Sequence, residues 1–127
     1  MAVKYRITPV KDNLSQEKST RYIARSSGRM TADLNMVSRK IAGSCSASPA
    51  DVSLVLIAFT DILTDLLCDN YNVHVPPLGV FSLSLKSESH ETPEEVNHTS
   101  VKKLQLQFRP SKEIIDRLKV AKLQKTI

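Results

Sequence analysis

The chain has 127 residues, 41% of them hydrophobic, and a formal net charge of +5. That length suits one domain with a modest core, which aliphatic side chains have to fill because only 5% of residues are aromatic and none is Trp. No apolar run approaches the roughly 20 residues of a membrane span, and three glycines leave no material for a phosphate-cradling loop.

The charge is unevenly spread. Residues 1–30 hold 7 Lys/Arg against 2 Asp/Glu, residues 31–101 hold 3 against 9, and residues 102–127 hold 8 against 2. The segments therefore carry +5, −6 and +6. Basic ends around an acidic middle raise the local positive potential and favour polyanionic partners. The opening "MAVKYRITPVK" lacks an apolar h-region and a small-residue cleavage pattern, so no secretory signal is expected. Cys45 and Cys68 have no framework spacing, and Cys68 falls in a helical pattern where a buried thiol is expected. These features describe a reduced, cytoplasmic chain without membrane association.

Along the chain, residues 3–8 alternate apolar Val3, Tyr5 and Ile7 with Lys4 and Arg6, and residues 21–25 alternate around Tyr22 and Ala24. Two strands joined by the polar loop "PVKDNLSQEKST" are predicted. A helix follows, with Thr31 as its cap, Asp33 in its first turn, Leu34, Val37 and Ile41 as its stripe and Gly43 as its end. A second helix starts at the cap Ser48, with Pro49 first and Asp51 three residues after the cap. Its stripe runs through Val52, Val55, Leu56, Phe59, Leu63, Leu66 and Leu67 to about Cys68. Leu54, Ile57 and Ile62 widen that stripe beyond the needs of one small core, which predicts a second subunit over it. A fully buried central helix of a monomer is the alternative.

Beyond "DNYNVHVPPLG", Phe81, Leu83 and Leu85 alternate with Ser82, Ser84 and Lys86. Further on, Leu104, Leu106 and Phe108 alternate with Lys103, Gln105, Gln107 and Arg109. The two runs match in period and length and should pair as an antiparallel ribbon, apolar on one face and polar with cations at its ends on the other. Between them, "SESHETPEEVNHT" is polar and acidic, a protruding arm or a mobile loop. Ser111 can then cap a short helix striped by Ile114, Ile115 and Leu118, and Arg117, Lys119, Lys122 and Lys125 crowd a tail expected to fray. The stretch "QFRPSKEI" places Arg109 and Lys112 together at a strand-to-helix corner, a candidate grip for an anion.

His74, His90 and His98 are scattered, two of them in the acidic loop, so no metal site is expected. There is no nucleophile elbow, P-loop, dinucleotide fingerprint or paired carboxylate in an apolar setting. The expectation is a non-enzymatic protein without cofactor. No aromatic platform for stacking single-stranded bases is visible either.

Two helices, then "PPLGVFSL", a ribbon and "FRPSKEIIDRL" form an order that resembles the bacterial histone-like DNA-bending family of HU and integration host factor. Gly79 and Phe81 are similar to that family's glycine-phenylalanine turn into the ribbon, and Phe108, Arg109, Pro110 and Lys112 to its Phe-Lys-Pro-Gly-Lys. The "MAVKY" opening and basic final helix look like its longer, Bacteroides-type branch. The resemblance implies an α+β histone-like fold: two N-terminal helices, an antiparallel ribbon arm and a short C-terminal helix, preceded here by two extra strands. It implies an intertwined homodimer on double-stranded DNA, architectural and nucleoid-associated, tolerant of sequence. By the same resemblance Lys86, Lys103, Arg109, Ser111 and Lys112 are the expected DNA contacts, with amide donors of the final helix beside Ser111. The expected division is an N-terminal extension at 1–30 and an HU-like domain at 31–127 with its arm at 82–108.

The sequence departs from the family at the arm. Its one proline there, Pro93 in "ETPEEV", stands among Glu88, Glu91, Glu94 and Glu95, where family members carry a wedge proline beside arginine. Pro93 is therefore either an arm-tip wedge or a turn former. Acidic arms leave open a second reading, a dimeric scaffold that has lost DNA bending and contacts a protein through its arms.

Overall fold

The computed structural model describes residues 2–11 and 20–126. The chain divides into two compact units, Met1–Asp33 with Arg117–Ile127, and Leu34–Asp116. It is a mixed α+β protein, with three helices and two three-stranded sheets among the described residues.

In the terminal unit, strand β1 (Val3–Lys11) pairs antiparallel with β2 (Thr20–Ser26), bringing Ile7 opposite Ala24 and Arg6 opposite Arg25. Both predicted strands are present and longer than their alternation suggested; Pro9, Val10 and Lys11 belong to β1, and residues 12–19 of the predicted loop lie outside the described residues. The basic tail does not fray. Leu123–Lys125 forms strand β6, which joins the free edge of β1 in parallel, giving the order β2-β1-β6. Val3 N donates to Lys122 O at 2.8 Å and Thr126 N to Tyr5 O at 2.7 Å, and the Ser27 and Thr126 hydroxyls bond at 2.5 Å. Three residues give too short an alternation to be told from a charged tail, so this strand is set by its partner's open edge.

The central unit opens with α1 (Leu34–Ala42), which begins two residues later than a cap at Thr31 implies, so Asp33 precedes the helix rather than lying in its first turn. α2 (Pro49–Cys68) starts as predicted: the Ser48 hydroxyl accepts from Asp51 N at 3.2 Å, with Pro49 at the first position. The two helices meet at small residues. Ser38, fully buried, bonds through its hydroxyl to that of Ser53 at 2.7 Å. Cys68 is exposed, not buried as expected, because the chain leaves α2 there and Leu67 takes the inward position.

Beyond α2, β3 (Val73–Val75), β4 (Gly79–Ser87) and β5 (Val101–Pro110) form a sheet in that order, all neighbours antiparallel. β3 is a short edge strand that the sequence reading did not anticipate. Phe81 of β4 links Phe59 of α2 and Phe108 of β5, with ring centroids 6.3 Å and 4.9 Å away, an aromatic seam between helix and sheet. α3 (Lys112–Lys119) follows β5 directly.

Candidate nucleic-acid interface

The β4–β5 register builds the polar face predicted for the ribbon. Phe81 faces Phe108, Leu83 faces Leu106 and Leu85 faces Leu104; between these rungs lie Val80 opposite Arg109, Ser82 opposite Gln107, Ser84 opposite Gln105 and Lys86 opposite Lys103. Laterally paired residues share a face. One face is therefore aliphatic and aromatic. The other runs Arg109, Gln107–Ser82, Gln105–Ser84, Lys103–Lys86, donors and acceptors bracketed by cations.

The five expected contact residues fall into two groups rather than one cluster. Arg109, Ser111 and Lys112 stand at the ribbon's base, whereas Lys86 and Lys103 lie six rungs out, about 20 Å along the strands. Lys86 and Lys103 are like charges directly opposite, an arrangement that costs stability. Past them the register passes from Lys86–Lys103 to Ser87–Val101, so Lys102 is the extra residue of a bulge and sets a third lysine at the same level. Alternation alone could not have located that bulge. All three lysines are exposed.

At the base, Gly79 makes the turn possible. Its φ is +149°, and a Cβ there would lie 2.2 Å from Arg109 O and 2.9 Å from the Phe108 ring. Only glycine lets β4 approach β5 this closely. Ser111 then ties the corner together. Its N–H donates to Leu78 O at 3.0 Å and its hydroxyl donates to Pro77 O while accepting from Ile114 N at 3.3 Å. The cap is the one predicted, but its hydroxyl proton is committed to Pro77. Arg109 and Lys112 project exposed from either side of this corner. An open concavity at the ribbon's base is lined by Asn72, Val80, Ser82, Gln107 and Arg109 among others.

The segment between the strands is folded. Pro93 is the first residue of a 3-10 turn, Pro93–Glu95, and a second turn, His98–Ser100, is closed by a reciprocal capping box between Asn97 and Ser100. Ser100 is buried and bonds His90 Nε2 at 3.1 Å, and His90 Nδ1 stands 3.7 Å from Glu95. Proline at the first position of a turn uses its fixed φ. Glu88, Glu91, Glu94 and Glu95 decorate this tip, all exposed. Among the described residues no group of His, Cys, Asp and Glu is placed to hold a metal ion, and no helix is long and apolar enough to cross a membrane.

Apolar surface is unevenly disposed. Val52 and Leu67 are the buried hydrophobic residues among those described, while Leu54, Val55, Ile57 and Ile62 of α2 are 52–67% exposed. Leu85, Leu104 and Leu106 on the ribbon's apolar face are 56–63% exposed.

Residues 1–125 match the family described as HU-HIG, HU domain fused to wHTH, Ig, or Glycine-rich motif. No curated protein matches the chain. Its fold is similar to the crystal structure of a provisionally assigned bacterial DNA-binding protein from Bacteroides vulgatus, with a TM-score of 0.69 at 9% identity. The similarity covers 97% of this chain but 47% of that one, so the chain spans about half its length.

Proposed function

The chain belongs to the HU-HIG family, and from that premise we propose that it binds double-stranded DNA as a non-enzymatic, architectural homodimer of the bacterial nucleoid. The ribbon register carries the reading: a hydrogen-bonding face bracketed by Arg109 at one end and by Lys86 and Lys103 at the other. Ser and Gln between the cations reach phosphate and sugar oxygens without reading a base sequence, which makes binding sequence-tolerant. Arg109 and Lys112 contact phosphates at the base, and Ser111 acts by holding the corner that aims them. Pro93 opens a turn in an acidic tip, so the arms bend DNA little.

The dimer is supported by the exposed apolar residues of α2 and the ribbon, which a second copy would cover. A unit with so few buried hydrophobic residues gains most of its core by association. A second reading, a dimeric scaffold that contacts a protein through its arms, is favoured by the folded, glutamate-rich tip.

The test is fluorescence anisotropy of a mixed-sequence duplex with the intact chain and an Arg109→Ala/Lys112→Ala variant. The expected outcome is submicromolar to micromolar binding at low salt and a loss of about tenfold or more in the variant. No duplex binding by the intact chain would leave the scaffold reading.

A further inference from the structure

The cationic charge of this protein is concentrated in the unit that does not contain the ribbon. The terminal unit, Met1–Asp33 with Arg117–Ile127, holds 11 Lys/Arg against 3 Asp/Glu, or +8; Leu34–Asp116 holds 7 against 10, or −3; together these give the chain's +5. A polyanion is therefore drawn most strongly to the unit that the family resemblance leaves without a role.

Within that unit the register sorts the charges. Arg6 lies opposite Arg25, Thr8 opposite Ile23, Val10 opposite Arg21 and, across the parallel pairing, Lys4 opposite Gln124. Because lateral neighbours share a face, Lys4, Arg6, Arg21 and Arg25 all project from one side of the sheet. The other side carries Val3, Tyr5, Ile7, Tyr22, Ala24 and Leu123 by the same rule, with two lysines, Lys11 and Lys125, against the four cations of the first face. No Asp or Glu occurs in β1, β2 or β6. An ordinary solvated face interleaves both signs; this one does not. All four cations are exposed, and no carboxylate among the described residues is in ion-pair contact with Lys4, Arg6 or Arg25.

Arg6 opposite Arg25 is a like-charge cross-strand pair, which opposes sheet formation. The same unfavourable device occurs at Lys86–Lys103 on the ribbon. A shared anion relieves such a pair. Lys4 and Arg6 are alternate residues of a strand, about 6.6 Å apart, near twice the 3.4 Å axial spacing of phosphates along one DNA strand. Three of the four cations are arginines, whose planar fork grips phosphate oxygens two at a time.

We infer that the cationic face of the β2-β1-β6 sheet, through Lys4, Arg6, Arg21 and Arg25, is a second contact surface for the phosphate backbone of double-stranded DNA, separate from the ribbon. It rests on the DNA-binding reading and extends its footprint to the terminal unit. The surface reads charge and spacing, so it adds affinity without adding sequence preference.

The test compares duplex binding by the full chain, a Lys4→Gln/Arg6→Gln/Arg25→Gln variant and the Arg109→Ala/Lys112→Ala variant over a salt series. Each neutralised phosphate contributes about −0.9 to the slope of log K against log salt, so the triple variant is expected to flatten that slope by about 2 to 3 and to bind at least tenfold more weakly at low salt. Its melting temperature should not fall, since a like-charge pair is removed. Should it melt early, Arg6→Gln alone, expected to flatten the slope by about 0.9, takes its place. A variant that binds with the full chain's affinity and slope overturns the inference while DNA binding stands. If the full chain itself fails to bind duplex, the underlying reading fails instead. An Arg6→Lys/Arg25→Lys variant keeps the charge and should keep the slope; a slope lost there would assign the effect to sheet distortion and overturn the inference.

Discussion

Gly79 and Ser111 decide whether the corner at the ribbon's base exists. A Cβ on Gly79 would overlap Arg109 O at 2.2 Å in a backbone conformation that side chains resist, so Gly79→Ala should destabilise the fold by about 2 kcal/mol or more, read as a lower urea midpoint. Ser111→Ala removes a cap and leaves Pro77 O without its donor, which should cost about 1 kcal/mol and lower the melting temperature by several degrees. Both changes act on DNA binding through the placement of Arg109, so weakened binding should track lost stability. Ser111 was legible from the residues, since a serine before a helical stripe is a local signal, whereas Gly79 was marked only by the resemblance to the family's glycine-phenylalanine turn. The sequence could not tell that the Ser111 hydroxyl also donates across to Pro77, because that partner lies 34 residues away.

Among the elements, the ribbon was the most legible. Two alternating runs of equal length left one sensible register, and Phe81, Leu83 and Leu85 pair with Phe108, Leu106 and Leu104. The bulge at Lys102 was not legible, because an extra residue preserves composition and only breaks phase. Nor was β6, whose three residues depend on the edge of β1 for their structure. The ribbon's lysine pair yields an opposed pair of effects. Lys86→Glu should replace repulsion across the strands by attraction with Lys103, raising stability by about 0.2–1 kcal/mol, while weakening duplex binding. Thermal melts and anisotropy on the same samples check the opposition; a variant that gains both stability and affinity would contradict the assignment of this face to DNA.

For the whole molecule, α2 leaves apolar surface exposed on the single chain. The sequence marked Leu54, Ile57 and Ile62 as surplus, and all three are more than half exposed. If a second copy covers them, the melting temperature should rise with protein concentration, and Ile57→Asp should abolish that dependence and give a monomer or an unfolded chain by sedimentation. The charge division was less legible. Segment counts along the chain marked both ends as basic but could not tell that folding brings them into a single +8 unit and leaves the ribbon's unit at −3. The central claim, that this family member holds DNA by phosphate contacts, is tested most directly by the salt dependence of its affinity for a random-sequence duplex. A linear fall of log K with log salt is expected, with a slope of about −4 or steeper from at least five phosphate contacts. An affinity that holds constant across the same salt range would contradict it.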